Sequence, residues 1–427
     1  MLANQKVYIS LVISAFLIFG CKPDTARLTF AVGGASNEIE FWEKIIGEFT
    51  DSTGIAVIVL RQPTDTDQRR QGLVIPLRSR QRDPDIFLMD VVWVGQFVVA
   101  DWLEPLDSVI MANDIDIGNF FEPIIDQVDT YHDKLYALPV YNDCGLLYYR
   151  RDLLEKYGFR SPTTWQELIE SAVSIQERER IKNPYFYGFV WQGAQYEGLI
   201  CNFLEFAVSN NGGIIDSGGS MIVHTPQNIE ATKLMHDIIY KYSISPPNTY
   251  TEMKEEETRL TFEKGNALYE RNWPYAWGLH NGEESPVRGK VAVTVLPRAN
   301  NGQHASTLGG WHIGISRFSD RRTEASMLLK FVLSYETQKN LALMLGWNPG
   351  RSDLYEDEDI NASVPHLNIL KKSFENAAAR PTTPFYTQIS DVLQKHLSAV
   401  LSGESSPDEA LLKAQHEIKE TLKRYHE

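Results

Sequence analysis

Four carboxylates stand where a polar ligand or a glycosidic bond could be engaged. They are Glu38 after a Gly-Gly turn, Asp90 closing an apolar run, Asp143 in Tyr141-Asn142-Asp143-Cys144, and Glu197 in Tyr196-Glu197-Gly198. Two carboxylates across a sugar bond are the machinery of glycoside hydrolysis. Acids that accept hydrogen bonds from hydroxyls look the same in a sequence, and a lone acid at a strand end serves equally as a helix cap. Aromatic residues add a second signal. Arg271-Asn272-Trp273-Pro274-Tyr275-Ala276-Trp277 gathers three large rings and an arginine around a proline, which excludes a helix interior or central strand there. The segment is expected to be a loop or strand end presenting flat rings, the competing reading being a core corner filled by Trp and Tyr. In Leu308-Gly309-Gly310-Trp311-His312, two glycines precede an indole, so backbone can approach a ligand and the ring can act as a platform. Flat apolar faces edged by polar groups suit a sugar, whose C–H faces stack while its hydroxyls pair.

Other chemistries lack their residues. The ten histidines are scattered, and neither HExxH nor CxxC spacing occurs, so no metal site is expected. Gly-x-Ser-x-Gly is missing. The Gly33-Gly34 turn is not followed by Lys-Ser/Thr and lacks dinucleotide spacing, so no phosphate cradle or cofactor is expected. A formal net charge of −15 argues against nucleic acid as a partner.

These residues hang on an alternating pattern. Residues 27–34 read as a strand, and Phe41, Ile45, Ile46 and Phe49 as one face of a helix ended by Gly54. Residues 55–60 and 85–90 read as buried strands, with a helix over 68–80 between them. This βαβ opening predicts a parallel, doubly wound α/β sheet, whose ligands sit at the carboxyl ends of the strands. Pro139 and Gly145 bracket an expected crossing between lobes. Thr164 with Glu167 predicts a capped helix over 164–176, and helices are expected over 197–208, 227–242, 255–264, 324–334, 336–345, 390–401 and 407–425. Strands are expected over 187–192, 291–296 and 313–315, and a turn-rich hairpin over 212–219. A chain of 427 residues accommodates two or three domains, and without a low-complexity linker the lobes are expected to hinge.

Residues 7–19 form an apolar run after Lys6, with the length of a signal-peptide core rather than of a membrane span. Leu17-Ile18-Phe19-Gly20-Cys21 resembles a bacterial lipoprotein signal, making Cys21 the lipidation site; an ordinary cleaved signal is the alternative. Either implies export, and acyl chains on Cys21 would tether the chain to a membrane. Cys144 and Cys201 are read as buried free thiols, though in an oxidising compartment they could pair.

The segments FAVGGASNEIEFW, RQPTDTDQRR, FLMDVVWVGQF, ALPVYNDCGLLYYRRDLLEKYG, GFVWQGAQYEG, ERNWPYAWGLHN, TLGGWHIGIS and LGWNPGR run through essentially the whole mature chain. In them the chain resembles the trehalose/maltose-binding lipoproteins of bacterial and archaeal ABC sugar importers (extracellular solute-binding protein family 1). That resemblance implies an α/β fold of two lobes with three crossovers, closing on its ligand like a flytrap. Its expected division is 27–140 with 306–360 as the N-lobe and 141–305 with 361–427 as the C-lobe, after a leader (1–20) and tether (21–26). It implies ligand contacts from Glu38, Thr64, Arg69, Asp90, Tyr141, Asp143, Tyr196, Trp273, Tyr275, Gly310, Trp311 and Arg380, with Asn37 and Thr66 as alternatives to Glu38 and Thr64. It also implies a disaccharide ligand, permease subunits with their cytoplasmic ATPase as partners, a monomeric extracytoplasmic receptor, and binding without turnover. A receptor for sucrose or another glycoside, or a secreted glycan-processing enzyme using Asp90 or Asp143, are the rival readings.

Overall fold

Strand β1 (Leu28–Gly33), helix α1 (Ser36–Thr53) and strand β2 (Val57–Gln62) form the expected opening unit, with β1 and β2 parallel from Leu28↔Val57 to Gly33↔Gln62. Helix α1 forms because Phe41, Trp42, Ile45, Ile46 and Phe49 fall on one face and are buried there. The Glu38 carboxylate turns back to accept from the Ala35 N–H at 3.0 Å, satisfying a donor that the helix start leaves unpaired. Gly54, at φ 74°, ends the helix in a left-handed conformation that a side chain disfavours. Helix α2 (Thr66–Arg78) starts two residues earlier than its sequence pattern predicts, because Asp65 caps it through the Gln68 N–H. Strand β3 (Ile86–Asp90) is buried along its length.

The computed structural model describes residues 27–216, 220–364 and 367–423. The expected leader, Cys21 and its tether lie outside these residues, as do 217–219 of the turn-rich hairpin and 424–427. Among the described residues no helix is long and apolar enough to cross a membrane.

Strand β4 (Leu138–Cys144) and strand β5 (Leu146–Arg150) meet at Gly145, yet belong to different sheets. There follow β6 (Tyr187–Val190), α3 (Glu197–Ser209), α4 (Glu255–Glu263), β7 (Ala267–Asn272), β8 (Val291–Thr294) and β9 (Ser306–Ile315). After them come β10 (Ala377–Ala378), α5 (Tyr386–Leu401) and α6 (Pro407–Lys423). The first sheet has the order β10-β9-β3-β1-β2, with β4 also on β9; the second runs β8-β5-β7-β6. Thr164 and Glu167 cap the helix Trp165–Glu179 reciprocally, as their spacing predicts.

Two expectations change. The opening β1–β2–β3 set is parallel, but β9 lies antiparallel to both β3 and β4, so the sheet is mixed: β9 enters from the opposite lobe. In addition, β9 does not begin after Trp311 but runs through Gly309, Gly310 and Trp311, with a register shift between Trp311 and His312. The Gly310 backbone has φ 146°, and a Cβ there would lie 2.7 Å from the Tyr141 carbonyl. The glycine therefore lets two strands pair closely as much as it opens room for a ligand.

Each sheet has its own core. Phe30, Trp42, Phe87, Trp311 and Ile313 belong to the first, and Leu147, Trp165, Phe189, Phe203 and Leu393 to the second. The chain crosses between them at Gly145 and between β8 and β9, and Ala342, Leu354 and Ile360 join a third cluster with Leu146, Val190 and Phe262. The expected lobe boundary at 140/141 falls inside β4, whose last residues still pair in the first sheet. Proteins with two α/β lobes built this way, the periplasmic-binding-protein fold, close around a ligand held between them.

Candidate ligand-binding cleft

Ten segments converge where the carboxyl ends of β1 and β3 face the second sheet. Gly34, Ala35 and Glu38 come from the turn into α1, Thr64, Thr66 and Arg69 from the start of α2, and Asp90 from the end of β3. Tyr141 and Asp143 on β4, Gly309 to Trp311 on β9, and Trp347 complete the first wall. Opposite them stand Glu197, Gly198 and Cys201 on α3, Glu255 and Glu256 on α4, Trp273 and Tyr275 after β7, and Arg380. The cleft holds about 760 Å³ of open space, its solvent-connected mouth included.

Of the twelve expected contacts, eleven line this cleft. Tyr196 does not. Its ring is 2% exposed, packed behind Gly198, where a Cβ would meet the phenol oxygen at 2.2 Å, with the Lys254 ammonium 5.2 Å from its centre. The neighbouring Glu197 and Gly198 take its place. Thr64 and Thr66 both line the wall. Glu255, Glu256 and Trp347 were not expected. An acid run opening a helix reads as ordinary dipole compensation, which hid the first two; Trp347 was visible only as part of LGWNPGR.

Arg380 holds the two walls together. Its guanidinium donates to Asp90 at 3.0 Å and to Glu197 at 2.8 Å, and its side chain is 2% exposed. Glu197 also accepts from Tyr386 and from Ser390 at 2.6 Å. Burial works against the Arg380 charge, but Asp90 and Glu197 hold its pKa well above the ordinary value. Arg69 is buried without a carboxylate at hydrogen-bond distance: it donates to the Gly33 carbonyl at 2.8 Å, its Nε has no partner, and burial lowers its pKa.

The rings are used unequally. Trp311 is no open platform: the Arg69 guanidinium lies 3.5 Å from its ring centre, and Trp93 meets it edge-on at 5.4 Å. Tyr141 stacks against Trp347 with centroids 3.9 Å apart. Trp273 has the Arg271 guanidinium 4.0 Å from its ring centre, and the Tyr275 hydroxyl donates to Glu256 at 2.7 Å. Trp277, the third ring of the motif, packs with Phe262 and Val291 in the third core instead. Arg271 is fixed by a buried ion pair with Glu205, whose carboxylate also accepts from the Thr307 N–H at 3.1 Å. Cys144 and Cys201 are buried free thiols.

Residues 35–339 match the family described as bacterial extracellular solute-binding protein. The chain belongs to that family. A probable ABC transporter-binding protein of Deinococcus radiodurans is 36% identical over 389 residues, 90% of this chain and 91% of that one. The maltose-bound MalE3 of T. maritima superposes with a TM-score of 0.87 at 37% identity, covering 92% of this chain and 99% of that one. A solute-binding protein of Thermotoga lettingae bound with α-D-tagatose does so at 0.84 and 27% identity, covering 92% and 99%.

The cleft of this solute-binding protein is strongly acidic. Burial pushes the Glu38 carboxyl up to about 8, with Arg69 and the Ala35 N–H opposing and Glu256 and Asp143 adding to it. Burial likewise pushes Asp143 up to about 7, Asp90 adding and Arg271 opposing, and one Asp143 oxygen has no partner. Near neutrality these groups are partly protonated, able to donate as well as accept. Across the mouth, Lys254 before α4 pairs with Asp65 before α2. Gln394 on α5 reaches Asp67 at 3.5 Å, the limit of a hydrogen bond. These contacts join one wall to the other and belong to a closed cleft. Among the described residues no group of three or more metal-capable side chains occurs.

Proposed function

We propose that this solute-binding protein captures a neutral, disaccharide-sized sugar of the trehalose/maltose type between its lobes and delivers it to the permease of an ABC importer. The observation that carries the reading is the alternation, around one cleft, of rings with hydrogen-bonding charges: Trp273, Tyr275 and Tyr141 among Glu38, Asp143, Arg69 and Arg380. Rings cover the C–H faces of a pyranose, and carboxylates and guanidinium groups engage vicinal hydroxyls in pairs. MalE3, the relative bound to maltose, supports an α-glucoside; the relative bound to tagatose makes a monosaccharide the alternative.

Binding, not turnover, follows from this reading. Sugar contacts both walls, so it favours the closed form by its differential affinity and shifts the population toward it. A micromolar Kd corresponds to about −8 kcal/mol. The closed monomer docks on the permease, whose ATPase drives release, and Cys21 carries the lipid that keeps the receptor at the outer face of the membrane. Isothermal titration with trehalose, maltose, sucrose, maltotriose, tagatose and glucose tests the proposal. Saturable one-site binding of trehalose or maltose, with the sugar recovered intact, is expected. Binding of tagatose or glucose alone would overturn the disaccharide reading, and product formation would overturn the receptor reading.

A further inference from the structure

The pole of the first sheet opposite the cleft carries a second groove, lined by Leu77, Arg78, Arg80, Trp102, Arg317 and Phe318 with Asp101 at its rim. It lies at the amino ends of β1 and β3. There the Thr29 N–H donates to the Asp85 carboxylate at 2.8 Å, the Ser316 N–H to the Asp85 carbonyl at 2.8 Å, and the Arg317 N–H to the Trp102 carbonyl at 2.9 Å. Helix α2 has its first turn in the cleft and its last turn here, about 18 Å away at 1.5 Å per residue.

Three observations bear on what covers this groove. First, its chemistry is amphipathic: Ile75 and Val99 beside it are 65% and 53% exposed, and Trp102 and Phe318 are half-buried. Second, its charge runs against that of the chain. In a protein of net charge −15, Arg78 and Arg80 are exposed with no acidic partner among the described residues, while Arg317 pairs with Glu104 at 2.9 Å and with Asp101 at 3.7 Å, and Arg82 with Asp320 at 2.8 Å. Third, the chain enters at this pole: Arg27 precedes β1, and five residues separate it from Cys21. The six steps from Cys21 to Arg27 span at most about 21 Å.

We propose that this pole faces the membrane, with Arg78 and Arg80 against anionic phospholipid headgroups and Ile75, Val99 and Trp102 at the headgroup level. This rests on the lipid anchor at Cys21 proposed above. Arginine beside tryptophan and exposed aliphatic groups is the composition of interfacial contacts, and each basic side chain near an anionic surface strengthens binding roughly fivefold.

The test uses the acylated full-length protein carrying Ser79→Cys labelled with a polarity-sensitive fluorophore, Cys144 and Cys201 being buried. Intact mass reports acylation of Cys21, and sugar titration reports the receptor separately. On phosphatidylcholine vesicles containing phosphatidylglycerol, the label is expected to shift to the blue and be quenched by spin-labelled lipid. Both signals should vanish on pure phosphatidylcholine, in high salt, and in Arg78→Glu/Arg80→Glu, which lowers surface affinity at least ~25-fold and leaves sugar affinity unchanged. A label that stays in water on anionic vesicles, a signal indifferent to charge reversal, or a chain without lipid on Cys21 overturns the proposal. Loss of sugar binding with the membrane signals intact strikes only the receptor reading.

Discussion

Replacing Arg380 by methionine probes the joint between the walls. The guanidinium is nearly inaccessible and serves Asp90 on β3 and Glu197 on α3 at once. Methionine fills much of its volume but leaves two buried carboxylates without a counter-charge, which for buried pairs costs about 3–5 kcal/mol. An unfolding entropy of about 2.1 cal/mol/K per residue over some 400 residues is about 0.8 kcal/mol/K, so the loss corresponds to a fall in Tm of about 4–6 °C. The measurement is calorimetry at neutral pH without sugar, beside a titration with the tightest ligand. Since Arg380 also lines the cleft, affinity should fall at least tenfold. The triple variant Asp90→Asn/Glu197→Gln/Arg380→Met removes the stranded charges and should recover most of the Tm but not the affinity. A single variant that melts within 1 °C of the parent would refute the buried network and with it the bridging role of Arg380.

Other expectations follow from the same geometry. Trp273→Ala should weaken sugar binding at least tenfold with a small change in Tm, because the ring lies over the cleft edge; an unchanged Kd removes it from the site. Trp311→Ala should weaken binding too, but also lower Tm clearly, since its indole is 9% exposed and packed on Trp93 and Arg69; a stable protein with normal affinity contradicts that packing. Lys254→Ala removes a partly exposed pair across the mouth worth about 0.5–1 kcal/mol, so sugar should leave two- to fivefold faster in stopped flow with little change in association. Glu38 and Asp143, ordinarily near 4.5 and 3.8, are raised to about 8 and about 7 in the folded protein. The native state therefore holds more protons than the unfolded one between those limits, and stability should fall as pH rises from about 5 to 8. Glu38→Gln/Asp143→Asn should flatten that slope, and an equal slope in parent and variant would argue that both acids are ionised throughout.

Local pattern was enough to find the framework. The apolar spacing of α1, the Gly54 stop, the Thr164–Glu167 cap and the all-apolar β3 are short-range signals, and their elements formed where hydrophobic periodicity placed them. The resemblance then named eleven residues that gather in one cleft, although they are spread from Glu38 to Arg380. What the local pattern could not give was pairing. The antiparallel entry of β9 depends on a strand more than two hundred residues away from β3, and the partners of the Gly309-Gly310 pair are backbone atoms of β4.

The same limit governs the side chains. Sequence by itself determined which rings and charges were available, the acidic balance that argues against polyanions, and the βαβ start that puts Glu38 and Asp90 at the carboxyl ends of strands. Only the tertiary structure decided which face of each ring stays free: Arg69 covers Trp311, Trp277 turns into a core, and Tyr196 yields its place to Glu197. It also decided that Arg380 closes on Asp90 and Glu197 from opposite walls, and that Lys254 meets Asp65 across the mouth. The physical reason is that helix and strand periods are set by neighbours a few residues apart, whereas burial, ion pairing and the pKa values they shift depend on what long-range packing brings within a few ångströms.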